Sequence, residues 1–384
     1  METRIQSTNV PEFIQLNENP AYPDEVRISH YDNEVPAFAG PEIDRLYGHL
    51  YCSPSYFVVA NELAGASTYV ARKGDDPVAM LLYKRSENEV TVISDYVKID
   101  EQEIRRFADW VFNSFKPVKV VSFRKLQAAI HDLAYPWHAV TCTEDMVVTL
   151  PPTVKEYETA VGKNMRRNIK RYTNALVKDF PSYRYRLYLE AEVSEQHIRD
   201  IIALSCTRMK SKNIVPRFNE EETQWIVDFA KKCGIVGVAT VDGRVCAGAI
   251  GFRMGENCFM HVIAHDVKFN DYSLGILCYY HTICESIARG AKNFHLLQGR
   301  YGYKYRLLAQ RQDLIHLDIY RSRWHALAHA RRIFGMEVRG RIRLMKQWLL
   351  HDVERAEGRA YRLLGKAVNS LRSMKRSSQS SAIE

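Results

Sequence analysis

The sequence predicts an α/β (α+β) protein: two tandem units, each a mixed sheet flanked by helices, and then a basic helical extension. Three observations carry this. The length of 384 residues suits two domains, each large enough to bury a core. The segments TYVARKGDDPVAMLLYKRSENEVTVIS and VGVATVDGRVCAGAIGFRMGENCFMHVIA share one order of strand, turn, strand, turn, strand, then helix and strand, which reads as an internal duplication. Residues 321–376 hold 15 Lys/Arg and 4 Asp/Glu, a balance of +11 against +9 for the whole chain, so the rest stands near −2. The basic character therefore belongs to the extension and not to the duplicated units, which counts against nucleic acid as their partner. These divisions put the first unit at residues 1–150, the second at 151–320 and the extension with a Ser-rich tail at 321–384.

Bulk composition fits a soluble protein, with 46% hydrophobic and 26% charged residues. The opening METRIQSTNVPEFIQLNENP is polar and lacks the pattern of a secretory leader. No run reaches the ~18 apolar residues of a spanning helix. The expectation is a cytoplasmic protein. Eight cysteines are scattered without a CxxC pair, which fits reduced core thiols and offers no metal set.

In chain order, residues 1–45 read as irregular. Asp44–Tyr51 reads as a short helix and Tyr56–Ala60 as an apolar strand. Thr68–Arg72, Val78–Tyr83 and Val90–Ser94 read as consecutive antiparallel strands joined by polar turns. Asp100-Glu101-Gln102-Glu103 has the form of a capping box and opens a helix with Ile104, Phe107, Ala108 and Val111 on its apolar face. Val118–Phe123 is the strand after it.

Between the repeats, Lys155–Lys178 reads as one helix, because Met165, Ile169, Tyr172 and Leu176 follow helical spacing. Lys163, Arg166, Arg167, Lys170 and Arg171 cover the rest of its surface, as a solvated face or as a clamp for an anionic acceptor. Tyr183–Leu189 alternates as a strand, and Ser194–Arg208 and Asn219–Lys232 are helices. The second repeat gives strands at Ile235–Val241, Val245–Phe252 and Cys258–Ala264, with a hairpin signal at Asp242-Gly243. Leu274–Arg289 is a helix closed by Gly290, Asn293–Leu297 a strand, and Leu314–Tyr320 another. The extension places Trp324, Leu327, Ile333, Ile342, Met345 and Trp348 among arginines. That pattern fits a peripheral contact with an anionic membrane face, an oligomerisation bundle or an RNA-binding appendage.

The repeats differ at the junction between third strand and helix. In the second it is NDYSLG; in the first it is DYVKIDEQE, without glycine and with an acidic helix start. Main-chain N–H groups at the first turn of a helix, with the helix dipole behind them, suit a phosphate. An acidic start repels one, so the second unit is the carrier-binding candidate. Ser273, Leu274, Gly275, Ile276 and Leu277 are the expected donors.

The turn Tyr272-Ser273-Leu274-Gly275, the helix ending in Arg289-Gly290, the strand Phe294–Leu297, and Gln298-Gly299 followed by Tyr303-Lys304 together resemble the GNAT acyltransferase fold. Within it they are similar to the CelD/BcsL-like group associated with bacterial polysaccharide biosynthesis, which the stretch Arg208–Asn213 (RMKSKN) also resembles. The resemblance spans about half the chain and overlaps the FemAB-like aminoacyl-transferases built of duplicated GNAT units. It implies acetyl-CoA or another acyl-CoA as co-substrate and a hydroxyl or amine acceptor on an envelope or polysaccharide precursor. The rival readings are an aminoacyl-tRNA-dependent transferase and a non-catalytic scaffold regulating polysaccharide production.

For the chemistry, Tyr303 is the expected acid for the departing thiolate and Lys304 the expected cation for an anionic acceptor. His261 and His265, four apart on one strand, are expected on the same face, with His261 the catalytic candidate beside the thioester. Glu190 and Glu222 are further candidates for the base. Arg166, Lys170, Arg208 and Lys212 form the expected acceptor-binding set.

Overall fold

The computed structural model describes residues 26–59, 63–211, 215–216 and 218–347. Readings of residues 1–25 and 348–376, and of Lys212, lie outside them. The chain divides into two compact units, residues 1–140 with 315–331 and residues 141–314 with 332–384.

Unit 1 begins with β1 (Val26–Tyr31), α1 (Ala39–Tyr47) and α2 (Pro54–Val59). It continues with β2 (Ser67–Lys73), β3 (Asp76–Arg85), β4 (Glu89–Val92), the two-residue β5 (Val97–Lys98), α3 (Glu101–Ser114) and β6 (Val120–Gln127). The chain then enters β7 (Trp137–Thr149), which carries it into unit 2. There follow α4 (Val154–Ala160), α5 (Lys163–Asp179), β8 (Arg184–Leu189), α6 (Glu195–Lys210) and α7 (Glu220–Cys233). Next come β9 (Gly234–Val241), β10 (Arg244–Met254), β11 (Asn257–His265), α8 (Leu274–Ala288), β12 (Asn293–His295) and α9 (Gly302–Arg306). β13 (Gln310–Tyr320), α10 (Arg323–Ala328) and α11 (Ala330–Gln347) close the described chain.

The duplication is visible strand by strand. Unit 1 pairs β1–β2–β3–β4 antiparallel, β4–β6 parallel, and β6 antiparallel with the end of β13. Unit 2 pairs β8–β9–β10–β11 antiparallel, β11–β12 parallel, and β12 antiparallel with β7. The sixth strand is exchanged in chain order: β7 leaves the first repeat to close the second sheet, and residues 315–320 return after the second repeat to close the first. The expected cuts at residues 150 and 320 fall just beyond these two strands.

Local chemistry explains most elements. Asp242 and Gly243 both hold positive φ, 50° and 73°, as a two-residue hairpin turn of the β9–β10 pair requires. Asn219 and Glu222 close a reciprocal capping box on α7, at 2.7 and 3.1 Å. α3 buries Ile104, Phe107, Ala108 and Val111, and Phe107 meets Tyr69 and Phe123 edge-on. In unit 2, α8 is buried along most of its length, through Leu274, Leu277, Cys278, Ile283 and Ile287. All eight cysteines are free thiols.

Several expectations are corrected. β1 occupies part of the stretch read as irregular. The segment read as a strand at Tyr56–Ala60 is helical as far as it is described: Pro54 starts α2 where its missing N–H costs nothing, and the Tyr56 and Phe57 amides bond the Ser53 carbonyl. Asp100 has the backbone of an N-cap but makes no side-chain cap: the Glu103 amide bonds its main-chain carbonyl at 3.1 Å, and the Glu103 side chain pairs with the buried Arg106. Lys155–Lys178 is two helices, since Val161 and Gly162 both leave helical ψ (134° and 149°). Among the described residues no helix is long and apolar enough to cross a membrane.

Candidate functional site

The site grows from how β11 and β12 meet. They pair only over Asn257–Phe259 and Asn293–His295. β11 runs on to His265, while the chain after β12 turns away at Leu297, whose φ is +55°, and Gly299, at +97°. Past Phe259, then, β11 has no strand partner on the side toward β12 among the described residues. The same stretch carries a β-bulge: Ile250 partners Val262 while Gly251 partners Met260, leaving His261 as the extra residue. A bulge breaks the ladder locally and re-aims main-chain groups, as a site for a polarised carbonyl needs.

The bulge also corrects the reading of the two histidines. An extra residue reverses the alternation of side chains, so residues four apart need not share a face. His261 packs on Trp225 of α7 and Phe252 of β10, at ring distances of 5.2 and 5.4 Å. His265 lies instead at the start of α8, where its Nε2 is 3.0 Å from Asn270 Oδ1. A Cβ built on Gly275 would stand 3.3 Å from its Nδ1. Of the other proposed bases, Glu222 is engaged in the α7 capping box.

β11 leads through a short turn, Val267–Tyr272, to α8. Ser273 adopts a left-handed conformation (φ 50°) at the junction. The Ile276 and Leu277 amides bond the Ser273 carbonyl, at 2.9 and 3.2 Å. The Leu274 and Gly275 amides have no partner among the described residues. So of the expected run Ser273–Leu277, Leu274 and Gly275 keep uncommitted N–H groups, Leu274 being buried, while Ser273 bonds the Asn270 carbonyl and Ile276 and Leu277 spend theirs inside the first turn. The α8 first turn contains no acidic side chain. Tyr172 of α5, absent from the expected site, hydrogen-bonds Ser273, and this bond first, then the nearby Arg171 and Arg306, lowers its phenol pKa. The Arg171 guanidinium lies 4.8 Å from the Tyr172 ring centre.

A tyrosine cluster stands on α8 and α9. The Tyr279 and Tyr303 hydroxyls are 3.3 Å apart, and Tyr301 stacks on Tyr303 at 5.9 Å. Burial pushes both the Tyr279 and Tyr303 phenols up, and the Arg208 charge, at the end of α6, opposes that rise in each. Two residues expected in separate roles, Arg208 and Tyr303, therefore come together. Both phenols stay protonated at neutral pH.

Lys304 behaves differently from its expected role as an acceptor cation. It is 2% exposed, and its Nζ donates to the carbonyls of Leu296, Leu297 and Gln298 at 2.6, 2.9 and 2.6 Å. An ammonium has three donors, so none remains for an acceptor. Burial pulls its pKa down to about 8, against the pull of Asp145 and Glu144. Lys304 thus holds the turn at which the chain leaves β11. Around it, Glu144 accepts from the Gly299 amide at 3.1 Å and pairs with Arg343 of α11 at 3.0 Å, and Asp145 meets His295 at 2.6 Å. The sequence reading missed Glu144 and Asp145 because β7 was not recognised as a strand. Of the expected acceptor set, Arg166 donates to the Glu158 and Thr159 carbonyls at the end of α4, and Lys170 lies exposed on α5.

Against this geometry, residues 163–305 match the family model for the acetyltransferase (GNAT) domain. No curated protein matches the chain. Among solved structures, FemX is 8% identical, with 74% of this chain and 96% of FemX covered at a TM-score of 0.56. A conserved protein of unknown function from Bacteroides thetaiotaomicron VPI-5482 is 12% identical, with coverage of 75% and 98% and a TM-score of 0.48. A tandem GNAT protein from the clavulanic acid biosynthesis pathway is 9% identical, with coverage of 77% and 98% and a TM-score of 0.37. The GNAT domain match over residues 163–305 and the FemX-like course of the chain together support a GNAT/FemAB-like fold.

Proposed function

We propose that unit 2 binds an acyl-CoA and transfers its acyl group to a hydroxyl or amine, on an envelope or exopolysaccharide precursor in the cytoplasm, as in the CelD/BcsL-like group. The observation that carries this is the end of the β11–β12 pairing at Phe259, next to a helix start with two uncommitted N–H groups, those of Leu274 and Gly275. The Leu274 and Gly275 amides receive the carrier's pyrophosphate, aided by the α8 dipole and by Arg171 and Arg306. The pantetheine arm extends along the unpaired side of β11, where main-chain N–H groups near the bulge meet the thioester oxygen. The acceptor attacks the thioester carbon, its own proton passing to solvent. The C–S bond then breaks, and the Tyr303 hydroxyl protonates the departing thiolate.

The resemblance of the sequence to the FemAB-like aminoacyl-transferases, with a fold like that of FemX, supports a second reading, transfer from an aminoacyl-tRNA. Titration calorimetry with acetyl-CoA separates the two. Saturable binding is expected, and in the presence of an acceptor Tyr303→Phe lowers kcat about 100-fold while leaving carrier affinity within about twofold. Absence of binding up to millimolar acetyl-CoA by the folded protein rejects the acyl-CoA reading and turns the question to an aminoacylated acceptor-stem RNA. Carrier binding without turnover on any acceptor leaves a non-catalytic scaffold.

A further inference from the structure

We infer that α11 seats unit 2 on an anionic lipid surface. Along α11, Met336 and Gly340 are buried, and Arg343 turns inward to Glu144 and Thr143, at 3.0 and 3.2 Å. At 100° per residue these three positions lie on one side of the helix. Phe334, Ile342 and Met345 fall within an arc of about 80° on the opposite side. They are 71%, 53% and 56% exposed. Arg341 flanks one edge of that arc, about 20° beyond it, 83% exposed and with Glu337 at 3.6 Å. Arg339, also exposed, lies about 60° beyond the other edge. Residues 330–347 carry six Lys/Arg and one acidic residue, Glu337.

The occupant of this face must accept large apolar side chains and supply negative charge. A second copy of the chain would set a basic face against a basic face. Residues 348–376, with seven Lys/Arg and three acidic residues, would do the same if folded back. A nucleic acid matches the charge but offers no apolar layer to Phe334, Ile342 and Met345. An anionic bilayer supplies both: acyl chains for the apolar arc and phosphate headgroups for arginines whose stems lie along it. The inward pair Arg343–Glu144 fixes which side of the helix faces out, and Glu144 also holds the Gly299 amide at the candidate site. The inference does not depend on the carrier being acyl-CoA.

The test is co-sedimentation of the full chain with vesicles of phosphatidylcholine alone and of phosphatidylcholine with phosphatidylglycerol. Binding is expected only to the anionic vesicles and to weaken in high salt. The Phe334→Glu/Ile342→Glu and Arg339→Gln/Arg341→Gln double variants each lower the partition coefficient about tenfold or more. All four side chains are exposed, so an unchanged thermal midpoint is the expected control for folding. Equal binding to neutral vesicles, or unchanged partition of both variants, overturns the inference. So does a dimer lost in the Phe334→Glu/Ile342→Glu variant when no vesicle binding is seen.

Discussion

Unit 1 and unit 2 share one strand order and differ where it matters for binding. In unit 1 the parallel seam stays closed. β4 pairs with β6 over its whole length, and β5 continues the pairing at Leu126 and Gln127. Between them the Tyr96 amide bonds the Lys125 carbonyl at 2.7 Å, and Arg124 reaches the Ile93 carbonyl at 3.1 Å. Asp95 pairs with Lys125 at 2.6 Å across the same seam. α3 then starts with Glu101 and Glu103 in its first turn. In unit 2 the corresponding seam ends after three residue pairs, and α8 starts without an acidic residue. The same architecture thus gives a continuous parallel seam in one copy and an interrupted one in the other. The difference comes from one short strand, one buried lysine and the charge of one helix turn.

The comparison is broken most sharply at Gly275. An aspartate there crowds His265 and sets a carboxylate against the incoming phosphate. Acetyl-CoA affinity is expected to fall more than about 100-fold in calorimetry, with the fold intact by circular dichroism; retained affinity would move the carrier away from α8. The next effect is on stability. Lys304→Met leaves three buried carbonyls without their donor and is expected to cost about 3 kcal/mol in urea unfolding. Arg124→Gln, whose 40% exposed side chain bridges the unit 1 seam, is expected to cost well under half of that.

Lys304 also carries a pH signature. The unfolded chain holds its proton up to about 10.5 and the folded chain only up to about 8. Between those values the unfolded state binds more protons, so this group makes stability rise with pH across that window. The slope disappears in Lys304→Met, and an unchanged slope would contradict the buried ammonium. The smallest effect is expected in the sealed unit: Glu101→Gln removes negative charge from the α3 start but leaves acetyl-CoA affinity unchanged, because the seam behind it stays closed. A gain in affinity would show that charge alone excludes the carrier there.

Much of this was legible before the fold. Alternation marked β2, β3, β9, β10 and β11, the Asp242-Gly243 turn fixed a hairpin, and the contrast between NDYSLG and DYVKIDEQE singled out the second unit. The family resemblance was carried by residues that the GNAT domain match covers. Other features escaped for definite reasons. A Pro-initiated turn of helix and an apolar strand look alike over six residues, as α2 shows. The break at Val161-Gly162 interrupts a helical pattern without disturbing its spacing. β7 is mostly half-buried over Trp137–Cys142 and buried over Thr143–Val148, with the charged Glu144 and Asp145 inside the buried stretch, so it shows no clean period.

The sequence by itself determined the local elements, the duplication and the charge of each helix start, because these depend on residues near one another in the chain. Only the tertiary structure decided the exchange of β7 and β13, the reversal of His261 relative to His265, and the fate of Lys304. A strand's partner is chosen by sheet pairing across more than a hundred residues of chain. A bulge depends on register with a neighbouring strand. An exposed-looking lysine becomes a structural donor only when distant strands and turns close around it and remove the water that would otherwise hold its charge.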